Sequence, residues 1–143
     1  PATIAATQKI SGRHKVLFGD IDGTFPNHHP NPVDPETLAI LQKAVADAGA
    51  DLGIGFDGDG DRIGIVDAKG RQVPGDFLTA FLARDILARH AGAPVILDVK
   101  SSDMAMALIT EAGGDAQIWK TGHSHMKTRM AEIKAPLSQN TFA

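Results

Sequence analysis

The run Asp57-Gly58-Asp59-Gly60-Asp61-Arg62 constrains this chain more than any other stretch. It lies between two short apolar runs, residues 52–56 and 63–66. Three carboxylates at alternate positions repel one another, and each loses hydration if it is buried without a partner. A hard divalent cation resolves both problems, because Mg²⁺ takes oxygen ligands at short range and Asp is the shortest carboxylate arm. The intervening glycines let the backbone curl until alternate side chains converge. Arg62 adds a planar cationic fork suited to phosphate. Asp57, Asp59 and Asp61 are therefore the candidate metal ligands. A lone D-x-D in a Gly-rich turn would be ordinary loop chemistry, but three followed by Arg is a narrower pattern. A calcium EF-hand loop is excluded, since its sixth and twelfth positions require Gly and Glu and here hold Arg62 and Ala68.

At 143 residues the chain has room for one domain or parts of two smaller ones. Its 43% hydrophobic content supports a core, and no apolar run is long enough to cross a bilayer. A net charge of −3, with basic residues scattered apart from Lys127, Arg129 and Lys134, gives no reason to expect nucleic acid. No cysteine is present, which excludes disulfides and thiolate chemistry. Together with the lack of a charged-then-apolar leader, this fits a cytoplasmic protein.

Punctuation residues divide the rest. Residues 2–10 can form a short helix broken by Ser11-Gly12, and residues 15–19 read as a buried strand. Residues 25–35 carry Pro26, Pro30, Pro32 and Pro35, which predicts an ordered loop without regular structure. Asp34 then caps a helix with Pro35 at its first position, and Gly49 ends it. Strands are expected at 52–56 and 63–67, with the polar stretch 68–75 as the boundary between two units, 1–72 and 73–143. Asp76 reads as the cap of the next helix. A strand at 95–99, a helix capped by Ser101 or Ser102, a strand at 116–119 and a helix from about residue 125 to 133 complete the pattern. Alternating helices and strands predict an α/β fold, with mixed-to-parallel sheets flanked by helices.

In such sheets ligands bind beyond the carboxyl ends of the strands. Lys100 and the loop Lys120-Thr121-Gly122-His123-Ser124 occupy two of those ends, and the acidic loop follows a third strand. The Lys120 loop opens a helix, whose backbone amides suit a phosphate, although a Thr-Gly loop is also common helix punctuation. Asn27-His28-His29-Pro30 lacks the spacing and partners of a zinc site, so these histidines are expected to order the loop. Met104, Met106, Met126 and Met130 read as core fillers on helices.

A rival lies at residues 16–24. An apolar strand followed by Asp20-Ile21-Asp22-Gly23-Thr24 resembles the first motif of haloacid dehalogenase-type phosphatases. That resemblance implies Asp20 as nucleophile, Asp22 as general acid/base and Mg²⁺ alongside.

Four segments in order resemble a different family, the α-D-phosphohexomutases (phosphomannomutase/phosphoglucomutase). Residues 22–32, Asp-Gly-Thr-Phe-Pro-Asn-His-His-Pro-Asn-Pro, are similar to its Pro-rich loop, and residues 57–62 to its metal loop. Residues 98–102 resemble its third-domain strand with a substrate-contacting lysine, and residues 119–124 its sugar-phosphate loop. The resemblance covers about residues 15–134. It implies Mg²⁺ on Asp57, Asp59 and Asp61, with Arg62, Lys100, Thr121, Gly122 and His123 holding substrate or phosphate. It also implies transfer between a phosphoserine and hexose phosphates, through a hexose 1,6-bisphosphate that serves as intermediate and activator.

The family's phosphoserine motif, Ser-His-Asn-Pro, has no counterpart in these residues, so no catalytic residue is assigned. Its sugar-selecting Gly-Glu-Met-Ser-Gly-His is replaced by the run 135–143, which contains no Glu. The expectation is a fragment: two incomplete phosphohexomutase-type domains, the second and the third, inactive alone. Sheet edges left open would favour self-association. A non-catalytic metal- and sugar-phosphate-binding remnant is the third possibility.

Overall fold

A computed structural model describes residues 2–139. The elements are α1 (Ala2–Thr7), α2 (Pro35–Ala48), β1 (Leu52–Phe56), β2 (Ile63–Asp67), β3 (Gln72–Val73), α3 (Gly75–Leu87), β4 (Pro94–Asp98), α4 (Asp103–Glu111), β5 (Asp115–Trp119), α5 (His123–Ile133) and β6 (Leu137–Ser138). Antiparallel and parallel sheets flanked by helices give the expected α/β class.

The first sheet is antiparallel in the order β1-β2-β3, with Ile54 opposite Ile65 and Ile65 opposite Val73. Its glycines set how closely other elements approach. A Cβ on Gly53 would lie 2.6 Å from Val45 of α2, and one on Gly64 would lie 1.9 Å from the carbonyl oxygen of Pro32. The missing side chains let α2 and the Pro-rich loop rest directly on the sheet, over a core of Leu38, Val45 and Val66. Asp34 caps α2 by accepting from Glu36 N, and Gly49 ends it at φ 57°.

The second sheet is parallel, in the order β5-β4-β6. Strand β4 is central, and its side chains alternate between two covering layers. Val95 and Leu97 pack with Ala80, Ala83, Ala105 and Ile109 of α3 and α4, whereas Ile96 packs with Met126 of α5. The chain moves from β4 to one neighbour and then back across to the other. That reversal places a switch point at the carboxyl ends of β4 and β6, the kind of crevice where open α/β sheets bind ligands.

The expectations for residues 15–19, Asp76 and Met104 need correction. Residues 15–19 form no strand. Phe18 has φ 52°, outside the extended region, and no strand among the described residues pairs with it, so Val16 and Phe18 stay about half exposed. Hydrophobic residues there lack the hydrogen-bonded partner that a strand requires. Asp76 does not cap α3: Pro74 holds that position, while Asp76 sits in the first turn and bonds elsewhere. Beyond the expected elements, residues 137–138 join the sheet as β6, held by pairing with Val95 and Ile96. The end of the Glu-free run, residues 140–143, lies outside the described residues. Of the methionines, Met126 is fully buried, but Met104 is exposed.

Candidate metal and phosphate site

The acidic run is the turn of the β1–β2 hairpin, closed by a hydrogen bond from Asp57 N to Arg62 O at 3.4 Å. Asp57 organises it from within. Its side chain is buried, and its Oδ1 accepts from Gly60 N at 2.9 Å and from Arg62 N at 3.1 Å. Its Oδ2 accepts from Arg62 Nε at 2.7 Å. Gly60 sits at φ 78°, which allows the curl that brings the trio together. Carboxylate oxygens of Asp57, Asp59 and Asp61 all lie within 4.8 Å of one another.

The electrostatics follow from this geometry. Burial pushes the Asp57 carboxyl up, but the hydrogen bonds from Arg62 outweigh it and hold the group at about 2. Asp61 moves the other way, raised by desolvation and by the neighbouring carboxylates of Asp57 and Asp59. Asp59 and Asp61 are exposed on the open side of the turn. An all-oxygen donor set this compact, with one ligand pre-oriented and ionised, fits a hard divalent cation. Arg62, about 39% exposed, keeps part of its guanidinium free for an anion beside that cation.

The loop is also held from outside. A Cβ on Gly58 would lie 3.0 Å from Phe25 Cζ and 4.0 Å from Pro30, so the Pro-rich segment lies over the acidic turn. Phe25 adopts φ 49° there, a conformation unusual for a side-chain-bearing residue. Within the same segment His28 Nδ1 donates to the carbonyl of His29 at 2.9 Å, the loop-ordering role expected of these histidines.

Lys100, Thr121, Gly122 and His123 form a second group at the carboxyl edge of the parallel sheet. Asp98 and Trp119 are register partners, so Lys100 and Thr121 follow their strands at the same level. Gly122, at φ 119°, is the N-cap of α5, and no side chain caps that helix. The helix starts at His123, two residues earlier than sequence reading placed it. Its first-turn amides are thus open to an external acceptor. Among the described residues, Lys100 uses its side chain in no hydrogen bond or ion pair, and none joins the Asp57–Arg62 turn to this second group.

Asp20 and Asp22 lie in irregular chain. Asp22 bonds Thr24 N at 2.9 Å and Thr24 Oγ1 at 2.7 Å, which holds its carboxyl below the usual range. The strand on which a phosphatase nucleophile would be mounted is not formed. Sequence reasoning missed a further set of groups around Lys100, namely Asp76, Asp98 and Gln139. Their partners are 26 to 41 residues apart in sequence, and no local pattern signals such pairs.

Two sequence profiles match the chain. "Phosphoglucomutase/phosphomannomutase, alpha/beta/alpha domain II" matches residues 13–70, and domain III of the same family matches residues 74–138. A phosphomannomutase/phosphoglucomutase of Pseudomonas putida is 48% identical over 122 residues, 85% of this chain and 26% of that protein. A phosphoglucomutase of Neisseria meningitidis is 45% identical over 83% of this chain and 26% of its own length. The crystal structure of a phosphoglucomutase/phosphomannomutase family protein from Burkholderia thailandensis superposes with a TM-score of 0.81 at 43% identity, covering 85% of this chain and 27% of that one. The chain therefore spans about a quarter of the length of these relatives.

Proposed function

The chain belongs to the phosphoglucomutase/phosphomannomutase family, and on that premise we propose that it supplies the metal-binding and sugar-phosphate-binding parts of a Mg²⁺-dependent phosphohexomutase. Residues 1–72 carry the metal loop and residues 73–143 the sugar-binding loops. The reaction interconverts hexose 1-phosphate and hexose 6-phosphate, with a phosphoserine and a hexose 1,6-bisphosphate as the family resemblance implies. The observation that carries this reading is the convergence of Asp57, Asp59 and Asp61 within 4.8 Å, with Arg62 bonded to Asp57 beside them.

Asp57, Asp59 and Asp61 hold the cation, which when bound neutralises charge on a transferring phosphoryl group. Arg62 places a fixed positive fork at the same end of the hairpin. Lys100 offers a mobile point charge, and Thr121, Gly122 and His123 offer a hydroxyl and open helix amides to sugar or phosphate oxygens. Catalysis of this kind relies on positioning and electrostatics rather than on proton transfer by these groups.

Because no Ser-His-Asn-Pro occurs in the sequence, the 143-residue chain by itself is proposed to bind without turning over. Within the whole protein it is proposed to serve in the cytoplasm in a reaction on hexose phosphates, with no nucleic acid or membrane partner. No helix among the described residues is long and apolar enough to cross a membrane. Among the described residues, strands β1 and β5 each pair on one side only, leaving edges through which copies can associate.

A paired assay with Mg²⁺ tests the reading. One arm offers glucose 1-phosphate or mannose 1-phosphate with a trace of hexose 1,6-bisphosphate, and the other a generic phosphate monoester. Binding of hexose phosphate without turnover in either arm is expected. Phosphate release abolished by Asp20→Asn would instead establish a phosphatase.

A further inference from the structure

We propose that Asp76 and Gln139 are positioning residues that lock the Lys100 turn from two separate elements, and that this lock sets how tightly Lys100 holds a sugar phosphate. The ligand in this proposal rests on the phosphohexomutase reading. The lock rests on the geometry of this chain.

The turn follows β4 and leads into α4. Asp98 ties it internally, its Oδ1 accepting from Lys100 N at 2.8 Å and its carbonyl from Ser101 N at 2.9 Å. Asp76, from the first turn of α3, then grips the next residues. One oxygen, Oδ2, accepts both the backbone N–H and the hydroxyl of Ser102 at 2.9 Å each. Its other oxygen accepts from Phe77 N at 2.9 Å. From beyond β6, Gln139 Oε1 accepts from Asp98 N at 2.8 Å and from Ser101 Oγ. Of residues 98–102, Lys100 alone carries a charged side chain left unbonded among the described residues.

Packing does not require this arrangement. Helices α3 and α4 already meet through Ala80, Ala83, Ala105 and Ile109, and Ser102 caps α4 by accepting from Ala105 N at 3.2 Å. The additional bonds from Asp76 bury a carboxylate, 8% exposed, that no cation neutralises among the described residues. Such burial is costly, and here it fixes the position of one residue through two bonds to a single atom. Lys is a flexible donor whose binding geometry depends on where its backbone is anchored. Anchors on both sides, at the carboxyl ends of β4 and β6, reduce the ordering that a ligand would otherwise impose.

The test measures glucose 1-phosphate affinity and the amide hydrogen exchange of residues 100–102 by NMR in the 143-residue chain. Asp76→Ala is expected to speed exchange at Ser102 and to weaken the sugar phosphate about tenfold, while Asp76→Ala/Lys100→Ala loses no more than Lys100→Ala alone. Ser102→Thr, which keeps the hydroxyl, should remain within about twofold of the unsubstituted chain. Gln139→Ala, a milder change, should weaken binding in the same direction, and it carries the test if Asp76→Ala does not fold. Unaltered affinity in folded Asp76→Ala and Gln139→Ala, or additive losses in the double variant, would overturn the lock while leaving the functional reading intact. Absence of any binding by the unsubstituted chain at about 10 mM sugar phosphate would overturn both.

Discussion

Arg62 meets Asp57 twice, donating from Nε to Oδ2 at 2.7 Å and from its backbone N–H to Oδ1 at 3.1 Å. One carboxylate of the trio is thereby ionised and oriented before any cation arrives. The turn formally retains two of its three negative charges, a match for a divalent ion.

This pairing ties stability to acid pH. The Asp57 carboxyl stands at about 2 in the folded chain against 3.8 ordinarily, so its contribution is fully present above pH 4 and disappears as pH falls towards 2. Asp57→Asn should cost on the order of 1–2 kcal/mol at pH 7, the smaller end reflecting that the Arg62 guanidinium reaches water. Urea unfolding at both pH values is the check, with the gap between the two proteins closing at pH 2.

Asp59 separates metal binding from stability. It is exposed and repelled by its neighbours, so Asp59→Asn should change unfolding free energy by less than about 0.5 kcal/mol. Mn²⁺ affinity, read by electron paramagnetic resonance, should fall by roughly tenfold or more with the loss of one carboxylate ligand. A variant that binds Mn²⁺ as before would remove Asp59 from the ligand set.

Gly64 tests the seat of the Pro-rich loop. A methyl group there would meet the carbonyl oxygen of Pro32 at 1.9 Å, and a backbone atom cannot swing aside as a side chain can. Gly64→Ala is expected to destabilise the chain by about 2–4 kcal/mol, measured as a lower urea midpoint. It should also loosen Phe25 over Gly58, visible as a change in Phe25 ring shifts.

Gly122 carries the entry to α5 at φ 119°, a conformation that L side chains rarely adopt. Gly122→Ala should cost about 1–3 kcal/mol and weaken hexose phosphate binding at the first-turn amides. Calorimetric titration with mannose 1-phosphate, beside a thermal melt, distinguishes the two effects. Binding that survives intact would mean those amides do not touch the ligand.

Much of the local architecture was legible because it depends on neighbours in sequence. Asp34 before Pro35, Gly49 after Ala48, and the glycine-spaced aspartates each act within a few residues, and each formed as chemistry predicts. Reading failed where a partner was distant. Residues 15–19 have strand composition but no strand to pair with. Residues 137–138 carry no local strand signal and form a strand because β4 pairs with them. Asp76 has the form of a helix cap and instead serves a helix that begins 27 residues later.

The sequence by itself singled out the candidate side chains: three short carboxylates and an arginine in one turn, and a lysine after a later strand. These follow from residue type and spacing, and proximity along the chain brings together the carboxylates and the arginine of the turn. The tertiary structure alone decided how those groups are held. The hydrogen bonds that aim the Lys100 turn join α3, β4 and the residues after β6, and the clamp on the acidic turn comes from a loop 33 residues before Gly58. Such bonds join groups 41 and 26 residues apart in sequence, so no local pattern records them.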